Sequence, residues 1–395
     1  MELSRDGWSC IKRNFADRPV FPNLQNLRWQ LVEADFEIGS FVHFLSPSLR
    51  TLAISCQNTS RNPVAQQSLG TWSDRLRLVM DDFLTRVPQL EKLSISYSGS
   101  LTAAQFLTPL SLTYPPFLRD LTLEGPHGKA LGFPDIVILS RIPQLESLTL
   151  NGGYNANQSI SNPSEPGRTI QSQHVDFPWL RSLHFLNFYA ALSPLGEWIT
   201  SATLDSLQFD EYSFLSAPNV RQNCTTWTRA FPSLRRFTCN FIYWRTRLGT
   251  DGLPLANEHE SISALFSPLL GMSGIRQASF GIANIPVVVD DNDIVTFSQS
   301  WPLLEALSIV TRPYRGDSPR FTVGLSGLLS LARNCPHLAS LNLKSLNIDS
   351  VALSQLPSFT PKQFNLRTLQ VHNDLEPEVR RVLADKVFPN LYCEP

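Results

Sequence analysis

The amino-acid sequence predicts an α/β solenoid, in which a parallel sheet lines a concave side and mostly helices cover a convex side. Two observations predict this fold class. First, the phrase IPQLESLTL at residues 142–150 returns as VPQLEKLSI at 87–95, as WPLLEALSI at 301–309 and as CPHLASLNL at 335–343. Second, segments with helical patterns separate these phrases. A strand and a helix that alternate at a short period bury their apolar faces only by stacking on neighbouring repeats.

The repeated unit is anchored on the first leucine of an LxxLxL pattern. Within a unit, apolar residues stand at the anchor and at three and five positions after it, as in Leu145, Leu148 and Leu150. The last two alternate as in a short strand. Thirteen units, the last one truncated, follow one another at intervals of 24 to 41 residues. Their anchors are Leu24, Leu49, Leu90, Leu118, Leu145, Leu180, Leu204, Leu234, Ile275, Leu304, Leu338, Leu366 and Leu391.

Proline marks the start of most repeated phrases, because ten of the thirteen units carry it two residues before the anchor. Proline cannot continue a helix and favours an extended predecessor, so each proline indicates where an outer helix ends and a strand follows. Helical patterns are predicted over residues 73–87, 261–270, 324–334 and 375–387. The alternation predicts a leucine-rich-repeat horseshoe, with residues 1–20 as an N-terminal cap segment and residues 21–395 as one solenoid.

A charged residue follows the anchor in ten of the twelve full units, and its sign nearly alternates. Because adjacent strands lie about 4.8 Å apart, these side chains should form a ladder of ion pairs along the sheet edge. Each exposed pair contributes only about 0.2 to 1 kcal/mol, so the ladder is interpreted as setting the strand register. The residues are Arg50, Glu91, Arg119, Glu146, Arg181, Asp205, Arg235, Arg276, Glu305 and Arg367.

Composition limits the classes of partner. The chain has 33 Lys and Arg against 34 Asp and Glu, without a basic block, so it lacks the electrostatic footprint of nucleic-acid binding. The sequence shows neither a signal peptide nor an apolar run of roughly 18 to 20 residues, so no membrane association is expected. Its six cysteines are scattered and form no CxxC pair. This usage favours free thiols in the cytoplasm or nucleus.

The sequence contains no catalytic signature, and its seven histidines have no metal-ligand spacing. We therefore expect a protein without enzymatic activity, cofactor or bound metal. The acidic run VDDNDIV at residues 289–295 could suggest a cation site, but a helix amino-terminus is favoured. Asp and Asn side chains there accept hydrogen bonds from the first free backbone N–H groups.

A binding surface is expected on the concave side, where alternate strand residues point away from the leucine core. These positions are polar and mixed in sign, which suits a protein or peptide partner better than a polyanion or lipid. The candidate residues are Asn26, Arg28, Lys92, Asp120, Glu124, His184, Gln208, Asp210, Arg236, Asn240, Asn342, Lys344 and Gln370.

Aromatic residues cluster just after strands six, seven and eight. Tyr189 and Tyr243 each stand nine residues after an anchor, and they are predicted to be exposed partner anchors because tyrosine is enriched at binding hot spots. The repeat consensus points their aromatic neighbours inward. These predicted core residues are Phe188, Tyr212, Phe214 and Trp244.

The phrases FPNLQNLRW, FPWLRSLHF, FPSLRRFTC and CPHLASLNL resemble the leucine-rich repeats of fungal F-box proteins, over residues 15–395. The resemblance implies that the repeats hold a protein substrate for an SCF-type cullin ubiquitin ligase. It also implies docking to the ligase adaptor through an F-box, which would have to lie upstream of Met1. The alternative is a free-standing leucine-rich-repeat scaffold without a ligase link, and F-box residues upstream would distinguish the two.

The resemblance also bears on the convex side. Leucine-rich repeats often have Asn or Cys three residues after the strand of each unit. At this position, four units of this chain have instead Phe188, Tyr212, Ile242 and Leu346. An asparagine ladder is therefore mostly missing. We expect apolar packing to hold the convex turns instead.

Overall fold

The structure is a computed structural model of the 395-residue chain, which divides into two compact units. Unit 1 comprises Met1–Tyr189 with Glu197–Ser201, and unit 2 comprises Ala190–Gly196 with Ala202–Pro395. The structure describes residues 10, 13–15, 18–31, 43–56, 85–97, 115–126, 133–153, 174–188, 198–211, 217–242, 260–283, 287–312, 321–348, 363, 365–372 and 376–391.

In the described part of unit 1, six strands form a parallel sheet in chain order, and two short strands form a separate parallel pair. The sheet strands are β1 Asn26–Leu31, β2 Thr51–Cys56, β3 Lys92–Tyr97, β4 Asp120–Pro126, β5 Ser147–Gly153 and β7 Ser182–Phe188. The short pair is β6 Val175–Asp176 with β8 Ile199–Thr200, and helix α1 spans Phe133–Ser140.

In the described part of unit 2, six more strands pair in chain order and form a parallel sheet. Short strands that lie between them in the sequence belong to a second sheet. The six strands of the first sheet are β9 Ser206–Glu211, β10 Arg236–Ile242, β12 Gln277–Ala283, β14 Ala306–Arg312, β16 Ser340–Leu343 and β17 Thr368–Val371. The second parallel sheet contains β11 Glu260–Ser261, β13 Val287–Asp290 and β15 Phe321–Thr322.

The helices of unit 2 lie between these strands in the sequence. They are α2 Ala217–Ala230, α3 Ile262–Leu265, α4 Asp291–Ser300, α5 Leu325–Asn334 and α6 Pro377–Lys386, with a 3₁₀ turn at Ser267–Gly271. Within the described ranges, no helix is both long and apolar enough to cross a membrane.

Every strand of the two six-stranded sheets begins two residues after its predicted anchor, as β5 begins at Ser147 after Leu145. The register stacks Leu148 beside Leu121 on one side and beside Leu183 on the other, so the leucines of successive units share one buried row. The prediction of parallel strands after twelve anchors is therefore confirmed.

The predicted ion-pair ladder lies where each strand begins. In unit 1, Arg119 Nη1 lies 3.4 Å from Glu146 Oε1. The Arg119 carbonyl oxygen also accepts hydrogen bonds from the backbone N–H groups of Glu146 at 2.8 Å and Ser147 at 2.9 Å. In unit 2, Arg276 Nη1 lies 3.0 Å from Glu305 Oε1. The ladder residues thus bridge neighbouring coils through both backbone and side chain.

The two units differ in what fills the core. Unit 1 is mainly aliphatic along its strands, whereas unit 2 buries a chain of aromatic rings. In unit 2 the Phe280 ring centroid lies 4.5 Å from that of Phe266 and 5.6 Å from that of Phe297. Phe297 in turn stacks on Trp301 at 4.9 Å, and the Trp301 indole N–H donates to the Leu269 carbonyl at 3.2 Å. The buried indole nitrogen is thereby satisfied.

The predicted helices are confirmed at α5 and α6. The segment 261–270 is broken instead into α3 and the 3₁₀ turn, since Ser267-Pro268 follows Phe266 and proline cannot continue a hydrogen-bonded helix. Of the segment 73–87, residues 73–84 lie outside the described residues, and Thr85 and Arg86 are helical. Helices α1 and α2 lie outside the four predicted segments.

The acidic run at residues 289–295 is a helix start, as predicted. Asp290 is the N-cap of α4 and accepts a hydrogen bond from the Asp293 backbone N–H at 3.1 Å, while Asp293 accepts one from the Asp290 N–H at 2.9 Å. This is a capping box. Asp293 Oδ1 also accepts from the Ser261 hydroxyl and, at 3.0 Å, from the Ser263 backbone N–H.

In place of an asparagine ladder, apolar packing was expected to hold the turns that follow the strands. Leu346 is buried, as expected for such packing. However, Asp293 joins α4 to the preceding coil at Ser263, and Asp291 joins it to the following coil at Gly324 and Gly327. In unit 2, carboxylates at one helix start therefore connect three consecutive coils.

Candidate partner-binding face

Each six-stranded sheet has one face in the core and one polar face, which we call the strand face. It consists of the residues two, four and six positions after each anchor. In β4, Leu121 and Leu123 are buried whereas Asp120, Thr122 and Glu124 are half-exposed. The two-residue period of a strand produces this separation.

Hydroxyl side chains dominate the middle row of the strand face. Unit 1 contributes Ser94, Thr122 and Thr149 to that row, and unit 2 contributes Thr238, Ser279 and Ser308. A hydroxyl both donates and accepts hydrogen bonds, and a short side chain loses little conformational freedom on binding. The candidate list from the sequence emphasised charged and amide residues, although the alternation of Ser and Thr in the strands was the signal for this row.

In unit 1, the structure brings two candidate residues together. Lys92 Nζ on β3 lies 2.6 Å from Asp120 Oδ2 on β4. The hydrogen bond to the Asp120 carboxylate raises the pKa of the Lys92 ammonium above its usual value. Arg28 is exposed on β1, and Glu124 is half-exposed on β4, so both can reach a partner.

His184 stands in the middle row of the strand face on β7. It is half-exposed between the buried Leu183 and Phe185, so its ring points away from the core as predicted. Its Nε2 lies 2.9 Å from the Ser182 hydroxyl, and its Nδ1 lies 3.5 Å from the Thr149 hydroxyl. Both ring nitrogens thus lie within hydrogen-bond distance of hydroxyl groups on the strand face.

In unit 2, Asp210 and Asn240 are neighbours. The Asn240 amide donates to Asp210 Oδ1 at 2.5 Å, and the next strand places Gly281 directly beside Asn240 in the register. A Cβ atom on residue 281 would overlap the Asn240 side-chain oxygen. Gly281 therefore gives Asn240 room to lie across the sheet, a role that the sequence pattern did not indicate.

Arg236 lies at the start of β10, where its Nη2 is 2.7 Å from Asp205 Oδ2. Asp205 also lies 3.8 Å from Arg235, so two arginines share one carboxylate. Gln208 lies on β9 in the middle row and is half-exposed. The edge of the unit 2 strand face is therefore more basic than its centre.

The last candidates lie on β16, just after it, and on β17. The Asn342 amide donates to the Ser308 hydroxyl at 3.2 Å, while its buried Oδ1 has no hydrogen-bond donor within the described residues. Lys344 is half-exposed, and its partial burial lowers the pKa of its ammonium. Gln370 is exposed on β17. These side chains extend the polar face to the last strand of unit 2.

Two candidate aromatic anchors, Tyr189 and Tyr243, lie outside the described residues. The same is true of Tyr212, Phe214 and Trp244 and of the Phe188 side chain, which were predicted to be core.

The described ranges contain no group of three or more His, Cys, Asp or Glu that could hold a metal ion. Cys224, Cys239 and Cys335 are buried, and burial raises the pKa of all three thiols, that of Cys335 to about 12. Such thiols stay protonated at neutral pH and are poor nucleophiles.

No protein-family model matches the sequence, and no curated protein matches it. Among solved structures, this chain is similar to a chain of the Rad7 and Elc1 complex in yeast, with a TM-score of 0.43 and 15% sequence identity. The alignment covers 89% of this chain and 77% of that chain.

Proposed function

We propose that this chain is a leucine-rich-repeat horseshoe whose strand face binds another protein. One observation carries the proposal: in five successive strands of each unit's six-stranded sheet, mainly apolar side chains are buried on one face and a mostly polar row lies on the other. In unit 1, for example, Leu148 is buried between the half-exposed Ser147 and Thr149.

The size and chemistry of the strand face favour a protein partner. Six strands spaced by about 4.8 Å extend over roughly 24 Å in each unit, which matches about seven residues of an extended peptide. The face mixes hydroxyls, amides and both signs of charge, with ion pairs such as Lys92–Asp120 already formed within it. This mixture suits the polar and apolar surface of a folded protein or peptide.

We further propose that the bound protein is the substrate of an SCF-type cullin ubiquitin ligase, and that the chain itself catalyses no reaction. The resemblance of its repeats to those of F-box proteins supports this assignment. Cytoplasm or nucleus is the proposed location, supported by six cysteines that form no CxxC pair.

Site-specific photo-crosslinking in cells tests the binding face. The photoreactive residue replaces Ser279 on the strand face or, as the control, the exposed Thr225 on α2. We expect Ser279 to yield a defined crosslinked protein band and Thr225 not to yield it. The same band from Thr225 alone would place the partner on the helical side and contradict the proposal.

Co-purification from the native organism tests the ligase assignment separately. Peptides of a ligase adaptor and a cullin, recovered together with the crosslinked partner, would support it. A partner that crosslinks to Ser279 in repeated experiments without adaptor or cullin peptides would instead identify a free-standing scaffold.

A further inference from the structure

A groove of about 590 Å³ lies at the edge of unit 2, away from the strand face. Its walls come from two consecutive coils, one with Pro302 and Leu303 and the next with Arg333, Pro336 and His337. We call it the edge groove. Its volume falls within the range of about 300 to 1,000 Å³ that is typical of ligand sites.

A fixed polar network forms one side of the edge groove. The buried Ser298 hydroxyl donates to the Val295 carbonyl at 2.8 Å and therefore acts as an acceptor for the Asn334 amide at 3.0 Å. The same amide nitrogen donates to the Ser330 hydroxyl at 3.2 Å. The Asn334 amide nitrogen is thus placed against two hydroxyl groups that lie 2.7 Å from each other.

The orientation of Asn334 leaves its side-chain oxygen for a ligand. Asn334 lines the groove, and no residue in the described part of the chain donates a hydrogen bond to its Oδ1. A side-chain amide oxygen accepts hydrogen bonds and cannot donate them. The groove therefore presents a preoriented acceptor for an N–H group.

Arg333 supplies the charge of the edge groove. The lining contains no Asp or Glu, and the guanidinium of Arg333 has no carboxylate partner among the described residues, whereas Arg276 on the ladder is paired with Glu305 at 3.0 Å. Arg333 lies in the last turn of α5, where the helix end carries roughly half a negative charge, so a net positive charge remains beside that end. A guanidinium fork binds a carboxylate through two hydrogen bonds.

Part of the edge-groove lining is apolar. Leu303, the residue before the anchor Leu304, has 41% of its surface exposed. Other units have a small or polar residue at this position, such as Gly274 in the preceding unit and Asn365 two units later. Pro302, next to Leu303 in the chain, is exposed as well, and so is Pro336 on the following coil. The edge groove therefore combines apolar side chains, a cation and a hydrogen-bond acceptor, which suits a ligand with matching groups.

We infer that the edge groove binds a segment of a partner protein that carries a carboxylate next to an aliphatic side chain. The carboxylate pairs with Arg333, a backbone N–H of the segment donates to Asn334 Oδ1, and the aliphatic side chain packs on Leu303. A glutamate or aspartate side chain and a C-terminal carboxylate share this chemistry. The inference does not rest on the proposed function of the strand face.

The binding of three fluorescein-labelled peptides to the full chain, measured by fluorescence anisotropy, tests this inference. The first peptide contains Leu-Glu within a Gly-Ser frame and an amidated C-terminus. The second has Leu-Gln with a free C-terminal carboxylate directly after it, and the third has Leu-Gln with an amidated C-terminus. We expect the first or the second to bind at least tenfold more tightly than the neutral third, and the stronger of the two identifies the source of the carboxylate.

Variants of groove residues test whether the preference for a carboxylate-bearing peptide arises in the edge groove. Arg333→Gln should remove the tenfold preference for a carboxylate, and Leu303→Ser should weaken the best peptide at least threefold. The matched control is Arg381→Gln, which removes the same charge from an exposed position on α6. Equal binding of all three peptides, or equal effects of Arg333→Gln and Arg381→Gln in proteins with unchanged circular dichroism, would overturn the inference.

Discussion

Asp291 Oδ1 accepts a hydrogen bond from the Gly327 backbone N–H at 3.0 Å, and a Cβ atom on residue 327 would lie 2.7 Å from that same oxygen. The oxygen also accepts from the Gly324 N–H at 2.7 Å. The first helical turn of α5 is therefore capped by a carboxylate from α4, one coil earlier in the chain. Because the carboxylate must approach the backbone this closely, glycine is required at the contact.

Replacing Gly327 by Ala should destabilise the protein. Alanine in a helix usually stabilises by about 1 kcal/mol relative to glycine, but here the added methyl group would also lie 3.2 Å from Ile294 Cβ. We expect overpacking to dominate and to lower the free energy of unfolding by about 1 to 3 kcal/mol in urea denaturation. Gly274→Ala is the control, because a Cβ there meets no atom within 4 Å. Stabilisation by Gly327→Ala would show that the capping contact does not form.

Asp293→Ala should have a larger effect for a related reason. Asp293 is 1% exposed and accepts hydrogen bonds from Ser261, Ser263 and Asp290. Alanine leaves these donors without a partner, and we expect a loss of about 3 kcal/mol of unfolding free energy. Asp385→Ala, at an exposed position on α6, should change it by less than about 0.5 kcal/mol. Equal changes in the two denaturation midpoints would contradict a role for Asp293 in joining the coils.

The sequence predicted the sheet strands accurately because their signals are local. A strand such as β4 follows a proline and an anchor leucine, and its apolar residues Leu121 and Leu123 then alternate with polar ones. The second sheet of unit 2 could not be predicted, since two residues such as Phe321–Thr322 are too few to show a period. The contacts of Asp291 and Asp293 were also beyond prediction, because they join helix starts from different coils.

For the candidate site, the sequence predicted which residues lie on the strand face but not the contacts between them. The alternation in β9 and β10 placed Asp210 and Asn240 on the polar face, but their hydrogen bond depends on the register between two strands. The role of Gly281 depends further on where the Asn240 side chain lies. Residue type and spacing therefore defined which face is polar, whereas the pairs within it required the structure.

Leu148→Asp should unfold unit 1. Leu148 is fully buried in the leucine row, where an unpaired carboxylate lacks both water and a hydrogen-bond donor. We expect a loss of at least about 3 kcal/mol, measured as a lower denaturation midpoint and a lower melting temperature. Thr149→Asp is the matched control, since that side chain lies on the strand face beside His184. If both variants melted at the same temperature, the assignment of the two faces would be wrong.

Alkylation of the cysteines should report the burial of the core. Cys10 is exposed, whereas Cys335 lies beneath the turn before β16 and has its pKa raised to about 12 by burial. At pH 8 its reactive thiolate is roughly a ten-thousandth of the total, so iodoacetamide should label Cys10 within minutes and leave Cys335 unlabelled. Mass spectrometry of the digested protein measures each site, and labelling in 6 M guanidinium chloride provides the control in which both react.

The same shift gives stability a defined dependence on pH. The folded-state pKa of Cys335 exceeds the ordinary value of 9.0, so the neutral thiol is favoured in the folded protein. Its contribution to stability is complete below pH 9 and is lost as the pH rises toward about 12, because the unfolded chain then releases the proton more readily. Cys335→Ser removes one of three buried thiols with a raised pKa, so this alkaline loss should become smaller in urea denaturation between pH 8 and pH 10.5, while the contribution of Cys224 and Cys239 remains. An equally steep loss in the variant would show that Cys335 does not contribute to it.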